Sequence, residues 1–320
     1  YYYVVTTDAL GADCETTSAS AQVIVTPGPS FVTQPLETQT VCQDGSTQEL
    51  TVTYENGVGT PLYQWHKVDD ICDNTPSEIT EIDGADQPTY TPPSNDVGTF
   101  YYFVELTFPS EGGCDPIVSD CSEVIVVPDP EVNITTSLNY TICIGGDIGS
   151  IETSVSGGVG AINYDWTITG PSVTPTSYSA NTVTTYSPTD VQSDIFDIAG
   201  VYQFFVTVTY SGSGCDQATS EVVTVTVLED PLLSLPSPAT QEICQSSSSD
   251  CLTGTATGGV GSYTFTWYNQ DDELQQTGPG SEVGGVMTSE FCPPTDETGT
   301  FDYYYVVTTD ALGADCETTS

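Results

Sequence analysis

The sequence predicts an all-β protein built as a tandem array of β-sandwiches, and three observations carry the prediction. Thr, Val, Tyr and Ser dominate the apolar runs, and no stretch of ten or more residues repeats apolar side chains at i, i+3, i+4 and i+7. Strands, and not helices, leave that pattern. Trp65, Trp166 and Trp267 stand 101 residues apart (166 − 65 and 267 − 166). The same step separates Cys42, Cys143 and Cys244, then Cys114, Cys215 and Cys316, and then the Gly-Val-Gly triplets that begin at Gly57, Gly158 and Gly259. Four anchors at one spacing define a repeat.

A longer period contains the shorter one. Residues 1–18, YYYVVTTDALGADCETTS, recur at 303–320, a step of 302 residues (303 − 1), so three units make one long period. The chain therefore reads as a window on a longer array, its two ends overlapping in repeat phase. An exact copy of this length also implies recent duplication or homogenisation of the repeat. Boundaries fall where a strand-like run meets Pro: VIVTPGP (23–29), VIVVPDP (124–130) and VTVLEDP (225–231). The expected units are 1–29, the last two strands of a preceding repeat; 30–129, the first full repeat; 130–230, the second; and 231–320, a third lacking its final strand. Short linkers stiffened by proline predict an extended axis.

Within each unit the strands follow in order. The first reads ELTVTY, the turn ENGVG, LYQW, a variable stretch, DVGTFYYFVELTF and SEVIVV. The second gives SIETSV, SGGVG, NYDW, DIAGVYQFFVTVTY and SEVVTVTV, and the third LTGTAT, GGVG, YTFTW and DETGTFDYYYVVTT. About seven short strands per 100 residues, with turn signals between them, is the pattern of a sandwich.

These residues resemble a known family. A Trp on the third strand, followed by Asp-x-Gly-x-aromatic-x-aromatic entering the penultimate one (Asp96, Gly98, Phe100, Tyr102), resembles the immunoglobulin fold with its tyrosine-corner segment. The second and third repeats carry one more residue before the Gly (Asp197, Gly200, Tyr202; Asp296, Gly299, Phe301). The intersheet cysteines of that fold are absent, their position on the penultimate strand being Tyr102, Phe204 or Tyr303. With the Cys-x-x-Gly-like opening, the GGxG before the Trp strand and the Gly-Cys of the last hairpin, the pattern is similar to the Ig-like and PKD-like repeats of very large Bacteroidetes surface proteins, including gliding adhesins. The resemblance covers nearly the whole chain. It implies tandem immunoglobulin-like β-sandwich domains in an extended array.

The eleven cysteines are Cys14, Cys42, Cys72, Cys114, Cys121, Cys143, Cys215, Cys244, Cys251, Cys292 and Cys316. Cys14 and Cys316 occupy one repeat position, so a full long period holds ten, an even count that suggests disulfides and an oxidising, extracellular location. In such a sandwich the opening strand ends at one pole and the last hairpin lies at the other. Cys42 with Cys215 and Cys143 with Cys316 would then staple successive domains; the alternative is that each first-strand Cys bonds within its own unit, Cys143 with Cys215. Cys251 with Cys292 suits neighbouring strands, and Cys72 with Cys121 follows by elimination.

Composition excludes several functions. There are 45 acidic residues against one Lys and no Arg, a formal net charge of −44. Phosphate recognition needs cationic donors, so nucleic acid and anionic membrane surfaces are repelled. No apolar run approaches the roughly 18 residues of a membrane span. His66 and Lys67 are each the only residue of their type, adjacent on a strand and so facing opposite ways, and neither recurs in the other repeats. His66 is expected to be a surface residue beside Trp65, and no catalytic constellation is expected. No Cys-x-x-Cys supports zinc.

Calcium is the cofactor class that the hard oxygen ligands favour. The candidate clusters are Asp69, Asp70 and Asp73 after the first Trp strand, Asp271, Asp272 and Glu273 after the third, and the linker acids Asp129, Glu131, Glu229 and Asp230. No Asp-x-Asp-x-Asp-Gly loop supports them. The expected function is a stalk of a large extracellular adhesin or surface filament, its partners being further copies of its own repeat in tandem, with lateral self-association into fibres. The alternative is a multivalent module in which the variable loops grip a glycan or protein ligand.

Overall fold

The computed structural model describes all residues except 7–14, 69–78, 110–113, 172, 174–176, 181–184, 213 and 310–315, and for 177–180 the backbone alone. Residues Tyr1–Val127 form one compact unit and Pro128–Ser320 a second. The described residues are strands and loops apart from one helical turn, Pro188–Val191.

The first full repeat is built on a sheet in the order Thr38–Cys42, Ser122–Val127, Gly98–Thr107, Leu62–Val68, Ile79–Glu81. These are the opening, final, penultimate and tryptophan strands and an edge strand. The opening and final strands run parallel, from Glu123 opposite Thr38 to Val127 opposite Cys42. All other pairs are antiparallel. The facing layer consists of Ser30–Thr33 with Thr53–Glu55 and Leu50–Thr51 with Thr89–Tyr90. Alternation explains the core: SEVIVV turns Ser122, Val124 and Val126 inward, and the penultimate strand turns in Tyr102, Val104 and Leu106. Trp65, fully buried, stacks on Tyr90 of the facing layer with ring centroids 5.7 Å apart, and its Nε1 donates to the Gln87 carbonyl at 2.9 Å.

The second repeat has the same order: Asn139–Cys143, Val223–Leu228, Gly200–Ser211, Ala161–Thr169, Ser177–Ala180. Its facing layer is Glu131–Ile134, Ile151–Ser156 and Thr185–Tyr186. Tyr202, at the start of the penultimate strand, donates its hydroxyl to the Ile198 carbonyl at 2.8 Å, which is the tyrosine-corner bond. The positions in register are Phe100 and Phe301, which carry no hydroxyl. The third repeat pairs Leu274–Pro279, Tyr263–Asn269, Tyr303–Thr309 and Glu317–Thr319 in one sheet, facing Leu232–Leu233, Leu252–Thr257, Val286–Phe291 and Ser281–Val283 in the other. Two layers and a buried Trp on the central strand make these tandem immunoglobulin-like sandwiches, the first two with a parallel opening strand.

Two sequence expectations are corrected. His66 is not a surface residue but 6% exposed: its cross-strand partner is Phe103, whose ring stacks on the imidazole at 4.9 Å and covers it. Its Nε2 lies 3.6 Å from Glu105 Oε2. Lys67 points the other way, its Nζ 4.4 Å from the centre of the Phe100 ring. Cys114 and Cys244, expected in disulfides, are not bonded in this chain; the cysteines in repeat phase with them, Cys316 and Cys143, are bonded to each other at the junction described next.

Candidate functional site: the stapled junction between repeats

The junction between the second and third repeats lies inside the unit Pro128–Ser320. The opening strand ends on Ile142 and Cys143, both buried, and Cys143 pairs with Leu228, the last residue of the final strand. The chain leaves that strand as Glu229-Asp230-Pro231, so the linker starts beside Cys143, whose Sγ is 3.9 Å from the Glu229 carbonyl oxygen. Cys316 approaches from the third repeat, just before the strand Glu317–Thr319, its carbonyl accepting from Thr309 N at 3.1 Å. Cys143 and Cys316 are bonded to each other, with Cα atoms 5.2 Å apart and 0% and 3% exposure. The inter-repeat staple is therefore the arrangement formed, and the intra-repeat pairing of Cys143 with Cys215 is not. The second pair, Cys251 and Cys292, flanks the register pair Leu252 and Phe291 and is bonded as neighbouring strands suggest.

The Gly-rich loop before the Trp strand completes the joint. Val260 packs against the Cys143–Cys316 pair, and Gly259, at φ +74°, has no room for a side chain because a Cβ would stand 2.8 Å from Pro231 Cγ. The loop entering the second repeat has the same relation to its own linker. Gly158 N donates to the Pro128 carbonyl at 2.9 Å, and a Cβ on Gly157 would lie 2.3 Å from the Asp129 carbonyl oxygen. Cys215 sits over this loop with Sγ 3.8 Å from the Val159 carbonyl oxygen. Gly57 N reaches the Pro27 carbonyl at 3.4 Å in the first repeat. The loop is thus a saddle for the linker, a role the sequence reading missed. Its signal was the constant spacing of 30 from Pro27 to Gly57 and from Pro128 to Gly158 (57 − 27 and 158 − 128).

Cys42, Cys121 and Cys215 are also disulfide-bonded. Cys14, Cys72, Asp69, Asp70 and Asp73 lie outside the described residues.

The remaining acidic candidates are placed as follows. Asp129 Oδ1 accepts from Asp216 N at 3.1 Å, which ties the linker to the last hairpin of the second repeat. Glu131 and Glu229 are exposed. Asp230 lies against the staple: one carboxylate oxygen and the two sulfurs of Cys143 and Cys316 fall within 4.8 Å of one another. Bonded sulfurs are not thiolate ligands, so this cluster does not make a metal site. Asp271, Asp272 and Glu273 form a hairpin turn organised by Asn269, whose Oδ1 accepts from Asp271 N at 3.1 Å and Glu273 N at 2.8 Å. Asp272 accepts from the Tyr304 hydroxyl at 2.8 Å, and this bond is the main cause that raises the tyrosine pKa. Among the described residues no three carboxylates converge on a point a cation would occupy.

A family model described as a domain of unknown function (DUF8696) matches residues 34–128. No curated protein matches the chain. Similar solved structures include Dpr2 in complex with DIP-Theta (15% identity, 92% of this chain and 98% of that chain, TM-score 0.38). A three-domain titin fragment is 13% identical over 91% of this chain and 96% of that chain, with a TM-score of 0.39. Immunoglobulin domains 1–5 of Sidekick-1 are 14% identical over 97% of this chain and 63% of that chain, with a TM-score of 0.40.

Proposed function

We propose that this chain is a stretch of the repeat region of a large extracellular adhesin or surface filament, similar to those of Bacteroidetes cell surfaces, and that its work is mechanical. The observation that carries the reading is the Cys143–Cys316 bond. It ties successive repeats at a point where the polypeptide already crosses, so load passes through a sulfur–sulfur bond as well as through a linker seated on a glycine saddle. Such a bond persists in an oxidising medium outside the cell. The acidic surface, with 45 carboxylates and one Lys, favours solubility and keeps neighbouring chains apart. Three sandwiches with strands rising about 3.3 Å per residue make one 302-residue period roughly 120 Å long.

The test is immunogold electron microscopy of intact source cells with an antibody against residues 230–302. Label spaced at about that period along thin surface threads is the expected result. Label confined to the medium, or scattered over the cell without threads, overturns the stalk and favours a multivalent binding module.

A further inference from the structure

The first and second repeats close the same pole of the sandwich differently. In both, a tyrosine of the facing layer stacks on the buried tryptophan: Tyr90 on Trp65 with ring centroids 5.7 Å apart, and Tyr186 on Trp166 at 5.0 Å. From that tyrosine to the glycine that opens the penultimate strand, the second repeat runs 14 residues (200 − 186) and the first only 8 (98 − 90). The longer connection carries Ile195 and Phe196, both buried. Phe196 plugs the pole, its ring meeting Tyr202 edge-on at 5.3 Å and Phe204 at 6.3 Å.

One backbone bond shows what stands there in the first repeat. The Phe196 carbonyl accepts from Gly145 N at 3.1 Å, and the Ser94 carbonyl accepts at 2.9 Å from the N–H of Asp44, which is in phase with Gly145 (145 − 44 = 101). Ser94 thus takes the place of Phe196, and its hydroxyl turns away to the Gly45 carbonyl. What remains is a cavity of about 230 Å³, walled by Tyr90, Phe100 and Tyr102. Phe100 and Tyr102 are the register counterparts of Tyr202 and Phe204, the two rings that Phe196 touches. Without a plug the walls are uncovered: Tyr90 and Phe100 are half-buried, where Tyr186 and Tyr202 are 2% and 0% exposed. The rim is polar. Lys67, in phase with the buried Ile168, holds its Nζ 4.4 Å from the centre of the Phe100 ring, and Glu81 and Asp96 line the same cavity.

We propose that this cavity of the first repeat binds an uncharged aromatic ring of benzyl size that bears a hydroxyl group, phenol being the simplest such ligand. The second repeat supplies the precedent from its own chain, a benzyl side chain seated in the same place. The volume suits the ligand, since an apolar cavity of about 150 Å³ already admits benzene. Three wall rings offer the edge-on and offset contacts that favour an aromatic guest. The rim selects the head group: a carboxylate would face Glu81 and Asp96, and an ammonium would face Lys67. A hydroxyl suits both, because it donates to a carboxylate and accepts from an ammonium. This goes beyond the stalk reading and stands or falls separately from it, binding in solution being independent of any thread on a cell.

The test is calorimetric titration of the whole chain with phenol. Expected is one saturable site with a dissociation constant below about 1 mM, within the per-atom ceiling for so small a ligand. Phenylacetate and benzylamine should bind roughly tenfold more weakly or worse, because each buries a charge beside a like one. Ser94→Phe restores the plug and should abolish saturable binding, with a melting temperature at or above that of the parent chain. Thr80→Trp, at an exposed position on the rim, covers the mouth without touching the core and should abolish binding as well, so the site is tested even where Ser94→Phe does not fold. An absence of saturable binding, undiminished binding in either folded variant, a preference for phenylacetate or benzylamine, or a response to glucose in place of phenol would each overturn the proposal.

Discussion

Replacing Cys143 and Cys316 together by Ala deletes the staple without leaving a thiol, and the cost to the third repeat follows from chain entropy. When that repeat unfolds beside a folded second repeat, its start stays pinned near Asp230, because Cys143 lies beside the linker. The bond holds the far end at Cys316, and the Cys251–Cys292 bridge short-circuits part of the stretch between. The closed loop is then roughly 45 residues, for which the loop-closure relation gives about 4 kcal/mol. Hydrogen exchange with mass spectrometry resolves the effect by segment. Amides of Tyr263–Asn269 and Tyr303–Thr309, central in the third repeat, should exchange up to about three orders of magnitude faster in the double variant. Amides of Leu62–Val68, in the other compact unit, should be unchanged. Unaltered protection in the third repeat would refute the reasoning, since it would mean that the staple does not restrict the unfolded chain.

Other consequences are as direct. Gly157 and Gly145 have positive φ of 71° and 78°, but a Cβ on Gly157 meets the Asp129 backbone and one on Gly145 meets nothing within 4 Å. Gly145→Ala should cost only the about 1–2 kcal/mol of a left-handed backbone, and Gly157→Ala clearly more, read from urea midpoints at unchanged slope. Burial raises the pKa of Tyr90, Tyr164 and Tyr303. The unfolded chain therefore loses these protons first, and stability, flat below the ordinary tyrosine pKa of about 10, falls as pH rises past it. A melting temperature constant through that window would contradict this. Calcium should raise the melting temperature no more than magnesium at equal concentration, as screening requires. A saturable response specific to calcium, reversed by chelation, would show a ligand set that the described acids do not form.

Much of this molecule was legible in its letters because strand alternation and repeat phase are local properties. The spacing of Trp65, Trp166 and Trp267 located the central strand of each sandwich, and all three are fully buried. SEVIVV and VTVTV announced their inward faces, and Cys251 and Cys292 were legible as a pair because they flank strands that had to be neighbours. The sequence by itself thus determined the period, the sandwich and the acidic, cation-poor surface. It did not choose between Cys215 and Cys316 as the partner of Cys143, since both stand in the same repeat phase and the choice depends on which pole of one domain meets the linker of the next. That was decided in three dimensions, where the opening strand ends beside Glu229 and Cys316, packed with Val260 of the glycine saddle, meets it. The burial of His66 was decided there too, because it depends on the cross-strand neighbour Phe103, 37 residues away (103 − 66), and alternation along a strand carries no information about what covers its outer face.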